Sequence, residues 1–245
     1  MSHIKGKGHC LTCPVRNKSI FSDLPDVSLE ATIKDFHTSV MSYEGGESIF
    51  HENDDSSGAA YTLRKGLIKV TKSLPDGRVQ IVRVLLPGDL FGFDGFAGES
   101  YNNTATALTD CEVCRLPLKD LSDLRKSNNE IDRSMMARWI KNLRHSEDML
   151  LELGAKKASE KLASFILNLS QADNLSALNE LDEEHWVALP LSRGEIGSLL
   201  GLTIETVSRF FSDWKRKGYI QESKSMIQVL DAEGLKTSAC SQGSC

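Results

Sequence analysis

Between residues 40 and 117 the apolar positions fall in short alternating runs: Tyr61-Thr62-Leu63, Leu67-Ile68-Lys69-Val70-Thr71, and Val79 to Leu86. A period of two marks strands with one buried face. Turn residues punctuate them at Gly45-Gly46, Ser57-Gly58, Lys65-Gly66, Asp76-Gly77 and Pro87-Gly88-Asp89. Asp76-Gly77 between two alternating runs predicts a hairpin. Short, evenly spaced strands of this kind predict a barrel or roll.

After Pro117 the period changes. From about Ile131 to Leu153 the apolar residues recur at helical spacing, at Ile131, Met135, Trp139, Leu143, Leu150 and Leu153, with Met136, Ile140 and Met149 beside them. The stripe is wide enough for one side to pack on the roll while another meets a second copy, as in a short coiled coil. Ile131, Met135, Trp139, Leu143 and Leu150 are the expected dimer seam; a long core helix in a monomer is the other reading. Gly154 is expected to end this helix. A second helical stretch follows, with Leu162, Phe165, Ile166 and Leu169 on one face, and then an acidic insert, NLSALNELDEEHW, that reads as a solvated loop.

The segment LSRGEIGSLLGLTIETVSRFFSDWKRKGYIQ has the grammar of a helix-turn-helix. Ser192 and Glu195 form a capping box. Gly201 supplies the turn. Thr203 caps a second helix whose buried stripe is Ile204, Val207, Phe211 and Trp214. Glu205, Ser208 and Arg209 share the opposite face, in the first turns that reach base edges. Arginine bonds guanine bidentately, a carboxylate accepts from cytosine N4, and serine serves either base type. Lys215, Arg216 and Lys217 are placed to hold backbone phosphates. YIQES and MIQVL, around Lys224 and Ser225, read as a wing hairpin. A helical hairpin with ordinary surface charge is the plainer alternative.

The 245-residue chain carries a formal net charge of −5, which argues against general coating of nucleic acid but not against one basic face. It has no run of eighteen apolar residues and no apolar stretch at its N-terminus, so a cytoplasmic protein without membrane contact is expected. In that setting thiols stay reduced. The six cysteines fall in close pairs, Cys10/Cys13, Cys111/Cys114 and Cys240/Cys245, and read as metal or redox groups rather than a disulfide framework. The last pair sits in a polar tail expected to be unstructured. No nucleophile–base–orienter set or phosphate-cradling glycine loop is present, so an enzyme is not expected.

RKGLIKV, LLPGDLFGFDG, CEVCRLPLKDL, EKLASFILNLS and GLTIETVSR together resemble the Crp/Fnr superfamily, the catabolite activator and fumarate-nitrate reduction regulators of bacteria, over roughly residues 9 to 235. The resemblance implies an α+β fold: a cyclic-nucleotide-binding-like β-roll, a long dimerisation helix and a C-terminal winged helix-turn-helix. Its divisions would be a cysteine-containing sensor segment at 1–25, the roll at 26–125, the helix at 126–154 and the DNA-binding domain with its tail at 155–245. It further implies a homodimer on palindromic double-stranded DNA, with RNA polymerase as a partner.

Cyclic-nucleotide members carry an arginine followed by serine or threonine after the PGDLFG-like motif. Here that region reads AGESYNNTATAL, and no arginine lies between Arg83 and Arg115, so cyclic AMP is not expected. E-x-x-S-R, matched by Glu205, Ser208 and Arg209, belongs to the fumarate-nitrate reduction branch and implies TTGAT-type half-sites. That branch senses oxygen through a [4Fe-4S] cluster on C-x-x-C-x5-C plus one distant cysteine. Cys10, Cys13 and Cys114 match, whereas Ser19 stands at the third N-terminal position. Cys111 is the least certain candidate ligand, since residues three apart in a strand face opposite sides unless a bulge intervenes. Ser19 Oγ and His9 are further candidates. A thiol–disulfide switch, a zinc site on the four cysteines, haem, or an organic effector in the roll remain as alternatives.

Overall fold

The computed structural model describes all residues except 1–2, 8–9, 23, 26–28, 31–32, 34–35, 57, 172–185 and 241–245. His9, Ser57, Cys245 and nearly all of the acidic insert lie outside the described residues. The chain divides into two compact units, residues 1–144 and 145–245.

In the first unit the alternating runs form strands. They are β1 (His3–Lys7), β2 (Ser39–Tyr43), β3 (Ser48–Phe50), β4 (Ala59–Lys65), β5 (Ile68–Ser73), β6 (Val79–Leu85), β7 (Leu90–Phe91), β8 (Thr104–Ala107) and β9 (Cys111–Pro117). Two sheets result, ordered β1-β2-β9-β4-β7 and β3-β8-β5-β6. The Asp76-Gly77 turn joins β5 to β6, with Gly77 at φ 85° in the left-handed region that glycine favours. Helix α1 (Leu118–Ser127), which the sequence pattern did not predict, follows directly, and α2 (Asn129–Ala155) comes next. Gly154 does not end α2, since the helix runs one residue beyond it.

This unit has two cores. One fills the roll with Tyr43, Phe50, Tyr61, Leu63, Ile68, Phe91, Tyr101, Cys111 and Val113. Phe50 stacks on Tyr101 with centroids 3.8 Å apart, and the Tyr101 hydroxyl donates to Ala59 O at 3.0 Å. The other core packs the N-terminal segment (Cys10, Ile20, Phe21, Leu24) against Ala60, Leu90 and Leu116 of the sheet, Leu121 of α1, and Ile131 and Met135 of α2.

The second unit contains the last turns of α2, then α3 (Ala158–Gln171), β10 (Val187–Ala188), α4 (Arg193–Leu200), α5 (Ile204–Arg216), the hairpin β11 (Ile220–Ser223) and β12 (Met226–Val229), and α6 (Ala232–Cys240). Cys240 thus ends a helix rather than lying in a structureless tail. β10, β12 and β11 form a three-stranded antiparallel sheet.

Candidate functional site: a nucleic-acid interface and a thiol face

Local chemistry builds the reading helix. Ser192 Oγ accepts from Glu195 N–H at 3.2 Å, while the Glu195 carboxylate accepts from Ser192 N–H at 2.9 Å, closing the capping box. Gly201 ends α4 at φ 64°. Gly197 matters equally, because a Cβ there would come within 2.5 Å of Leu202 O in the turn. Thr203 Oγ1 accepts from Thr206 N–H at 3.3 Å and starts α5.

Helix α5 buries Val207, Phe210, Phe211 and Trp214. Ile204, expected in that stripe, is 51% exposed, and Phe210 takes its place in the core. The indole of Trp214 donates to Ser238 Oγ at 3.2 Å and so fixes α5 to α6.

Glu205 and Arg209 are exposed and Ser208 is half-buried on the outer face. The Glu205 carboxyl is held below its usual range, first by its own backbone N–H and then by Thr203, so it stays an acceptor. Among the described residues no ion pair involves Arg209; its guanidinium rests 5.4 Å from the Phe210 ring centroid.

The lysines expected to hold phosphates have internal partners. Lys215 pairs with Glu222 of the wing at 2.9 Å, and Lys217 with Asp213 at 2.9 Å. Burial pushes the Glu222 carboxyl up, but hydrogen bonds and charge from Arg193 and Lys215 outweigh it and leave the net shift downward.

The cysteines lie around β9. Its register with β2 is regular, pairing Cys114 with Val40 and Cys111 with Tyr43. The irregularity in the neighbouring pairing falls in β4, between Leu63 and Lys65, so β9 keeps its pleat. Cys111 and Val113 therefore face the roll interior, while Cys114 and Leu116 face the second core. Cys111 thus lies on the opposite face of β9 from Cys114, away from Cys10. It is a packing residue, buried to the point that its thiol is pushed up to about 12, first by desolvation and then by Asp110. Gly66, at φ 86°, permits that packing, since a Cβ there would stand 2.7 Å from Cys111 Cβ.

Cys13, half-buried, lies in the same N-terminal segment as Cys10. Cys10 belongs to the second core, and Cys114 packs against it. Burial first, then the charge of Cys10, pushes the Cys114 thiol up to about 12; the Thr38 hydrogen bond and the Arg64 charge act the other way, and Cys13 adds to the rise. The N-terminal segment runs through successive turns, with Cys13 N–H to Cys10 O at 3.4 Å, Arg16 N–H to Cys13 O at 3.0 Å and Ser19 N–H to Arg16 O at 3.0 Å. Ser19 Oγ donates to Arg16 O at 2.9 Å and accepts from Phe21 N–H at 3.2 Å, so the hydroxyl holds a turn. Arg138 of α2 donates to Ser19 O and contacts Ser22 Oγ at 3.4 Å, tying the segment to the long helix. Among the described residues no three His, Cys, Asp or Glu side chains already close around a metal position.

Helix α2 exposes a different apolar stripe from the one expected to form the dimer seam. Ile131 and Met135 are fully buried within the unit, and Trp139 packs on Phe93 at 5.8 Å under the Arg125 guanidinium. The outward apolar residues are Met136, Ile140, Leu143 (60% exposed), Leu150 (71%) and Leu151. The first four keep the alternating four- and three-residue spacing of a coiled-coil seam, with Glu147 at the skipped position.

Comparison with known proteins agrees with this architecture. A cyclic nucleotide-binding domain profile matches residues 40–128 and a Crp-like helix-turn-helix domain profile matches residues 160–238. The chain is 32% identical to the transcriptional regulatory protein btr of Bordetella pertussis over 228 residues, 93% of this chain and 92% of that one. It is 29% identical to the transcriptional activator protein FnrA of Stutzerimonas stutzeri, covering 94% of this chain and 91% of the relative. The solved structure of FixK2 from Bradyrhizobium japonicum superposes with a TM-score of 0.71 at 31% identity, covering 82% of this chain and 96% of that one. With its β-roll, long helix and C-terminal helix-turn-helix, the chain belongs to the Crp/Fnr family of DNA-binding transcription regulators.

Proposed function

We propose that the protein is a homodimeric, cytoplasmic regulator that binds a palindromic TTGAT-like operator and is gated by oxygen or redox state at Cys10, Cys13 and Cys114. The observation that supports this reading is that Cys10 and Cys114 come to one core, where the N-terminal segment meets β9 and α2. The name of FnrA, a transcriptional activator, supports the same branch. Cys10, Cys13 and Cys114 would hold three corners of a [4Fe-4S] cluster, which when bound supplies one-electron and oxygen-reactive chemistry. Ser19 is not assigned the fourth corner, because its hydroxyl is committed to the turn. Cyclic AMP is not the signal, since the roll interior holds the Phe50, Tyr61, Phe91 and Tyr101 side chains and no arginine lies between Arg83 and Arg115.

Gating works through packing. A change in the N-terminal segment alters how Ser19 and Ile20 sit against Arg138 and Met135 of α2. That biases the Met136, Ile140, Leu143 and Leu150 seam, which takes the role expected of Ile131 and Met135. A dimer with the right seam places two copies of α5 one DNA turn apart, so that Glu205, Ser208 and Arg209 read each half-site. Thr203 fixes the start of that helix. Lys215 and Lys217 reach phosphates by exchanging carboxylates for the DNA backbone. RNA polymerase is the expected protein partner.

The test is anaerobic purification and reconstitution, followed by iron and sulfide determination and operator titration before and after exposure to air. Bound iron and sulfide with air-sensitive operator affinity is expected. Colourless protein without either, and with air-insensitive affinity, overturns the reading. A disulfide joining Cys10 to Cys13 in the aired protein, found without iron, would instead support a thiol switch, which their shared turn also favours.

A further inference from the structure

Glu222 of the wing stands between two cations. Alternation along β11 puts it on the face of the buried Ile220, turned toward the helices rather than outward. Its carboxylate accepts from Arg193 at the start of α4 and from Lys215 near the end of α5, the second at 2.9 Å. The two cations are held differently. The Arg193 side chain is 26% exposed, and its guanidinium also lies over the Phe211 ring, 3.5 Å from the centroid, which fixes it to the core of α5. The Lys215 side chain is 47% exposed, and Glu222 is its one ion-pair partner among the described residues. A carboxylate that gives up Lys215 still keeps Arg193, so the release leaves no half-buried charge unanswered. By contrast, among the described residues no ion pair holds Arg209 on the reading face.

We propose that Glu222 is a specificity-determining residue, withholding Lys215 from the backbone of non-cognate DNA and releasing it when base contacts by Arg209 and its neighbours seat α5 in the groove. This rests on the phosphate role given to Lys215 above and is independent of the sensor. Phosphates are alike in every duplex, so a lysine free in the unbound protein strengthens non-specific binding as much as specific binding. A lysine already paired must first leave its carboxylate, and a partly exposed pair is weak enough to exchange. On non-cognate DNA the register is not fixed, so no phosphate sits at a set place to take the lysine over. Base contacts fix the register and bring one phosphate to the Lys215 ammonium. The exchange therefore belongs to the operator complex.

The experiment titrates full-length wild type, Glu222→Gln, the double variant Glu222→Gln/Lys215→Gln and Glu233→Gln against a TTGAT palindrome and a random-sequence duplex. Anisotropy is read between about 50 and 200 mM salt. Glutamine keeps the shape and an acceptor for Arg193 but not the charge that holds Lys215. One additional phosphate contact adds ~0.9 to the slope of log affinity against log salt, and so about eightfold in affinity near ~0.1 M salt. Glu222→Gln is expected to show both gains on the random duplex and an unchanged slope on the palindrome, so its preference for the palindrome falls. The double variant is expected to return the random-duplex slope to that of wild type. Glu233→Gln makes the same change of net charge at an exposed pair with Lys236 on α6, and is expected to leave the slopes as they were. An unchanged random-duplex slope in Glu222→Gln overturns the proposal. Weaker binding of both duplexes overturns it too and makes Glu222 a scaffold of the wing. An equal gain in Glu233→Gln reduces the effect to net charge and overturns it as well. A wild type that binds the palindrome no better than the random duplex overturns the operator assignment, while the random-duplex slopes still decide the role of Glu222.

Discussion

Replacing Cys111 and Cys114 one at a time should separate two roles that three residues of sequence cannot. Cys111→Ala removes a methylene-sized sulfur from the roll core, where Tyr43 and Gly66 pack around it. The lost transfer free energy is ~0.8 kcal/mol. A residual void of roughly 30 Å³, one water's share of liquid, would add about 0.7 kcal/mol. Together these predict a loss of about 1.5 kcal/mol, or ~3–6 °C in the melting temperature of a chain this size. Thermal unfolding of the unloaded protein by circular dichroism measures it. The same variant should retain iron and sulfide after reconstitution, because its side chain faces away from Cys10. Cys114→Ala should lose both. If Cys111→Ala loses its iron while melting like wild type, the assignment of faces on β9 is wrong.

The recognition helix and the seam give two further tests. Arg209→Ala should weaken operator binding by about 1–3 kcal/mol and relax sequence preference at one position, measured by anisotropy at fixed salt; unchanged affinity and preference would contradict the reading of α5. Leu143→Glu should yield a folded monomer in sedimentation, whereas Ile131→Ala should lower stability by about 2–5 kcal/mol without a selective effect on association.

Much of this protein is legible from its residues alone. Period-two runs with Asp76-Gly77 and its companion turns determine a roll, because alternation has only one way to bury one face. Ser192 with Glu195, Gly201 and Thr203 determine a helix-turn-helix, because caps and left-handed turns act over a few residues. Periodicity announces a face without naming what covers it. Ile131 and Leu143 belong to one sequence stripe, yet the chain's own N-terminal segment buries the first and leaves the second outward. Ile204 and Phe210 exchange places for the same reason, since the core behind α5 comes from elements distant in sequence. Cys111 and Cys114 part because the irregularity lies in the neighbouring strand and leaves the pleat of β9 intact. Cys10 and Cys114 meet in one core only once the N-terminal segment and β9, remote in the chain, are packed together. Local chemistry is written in adjacent residues; the partners of each side chain follow from long-range packing, and that the tertiary structure alone decides.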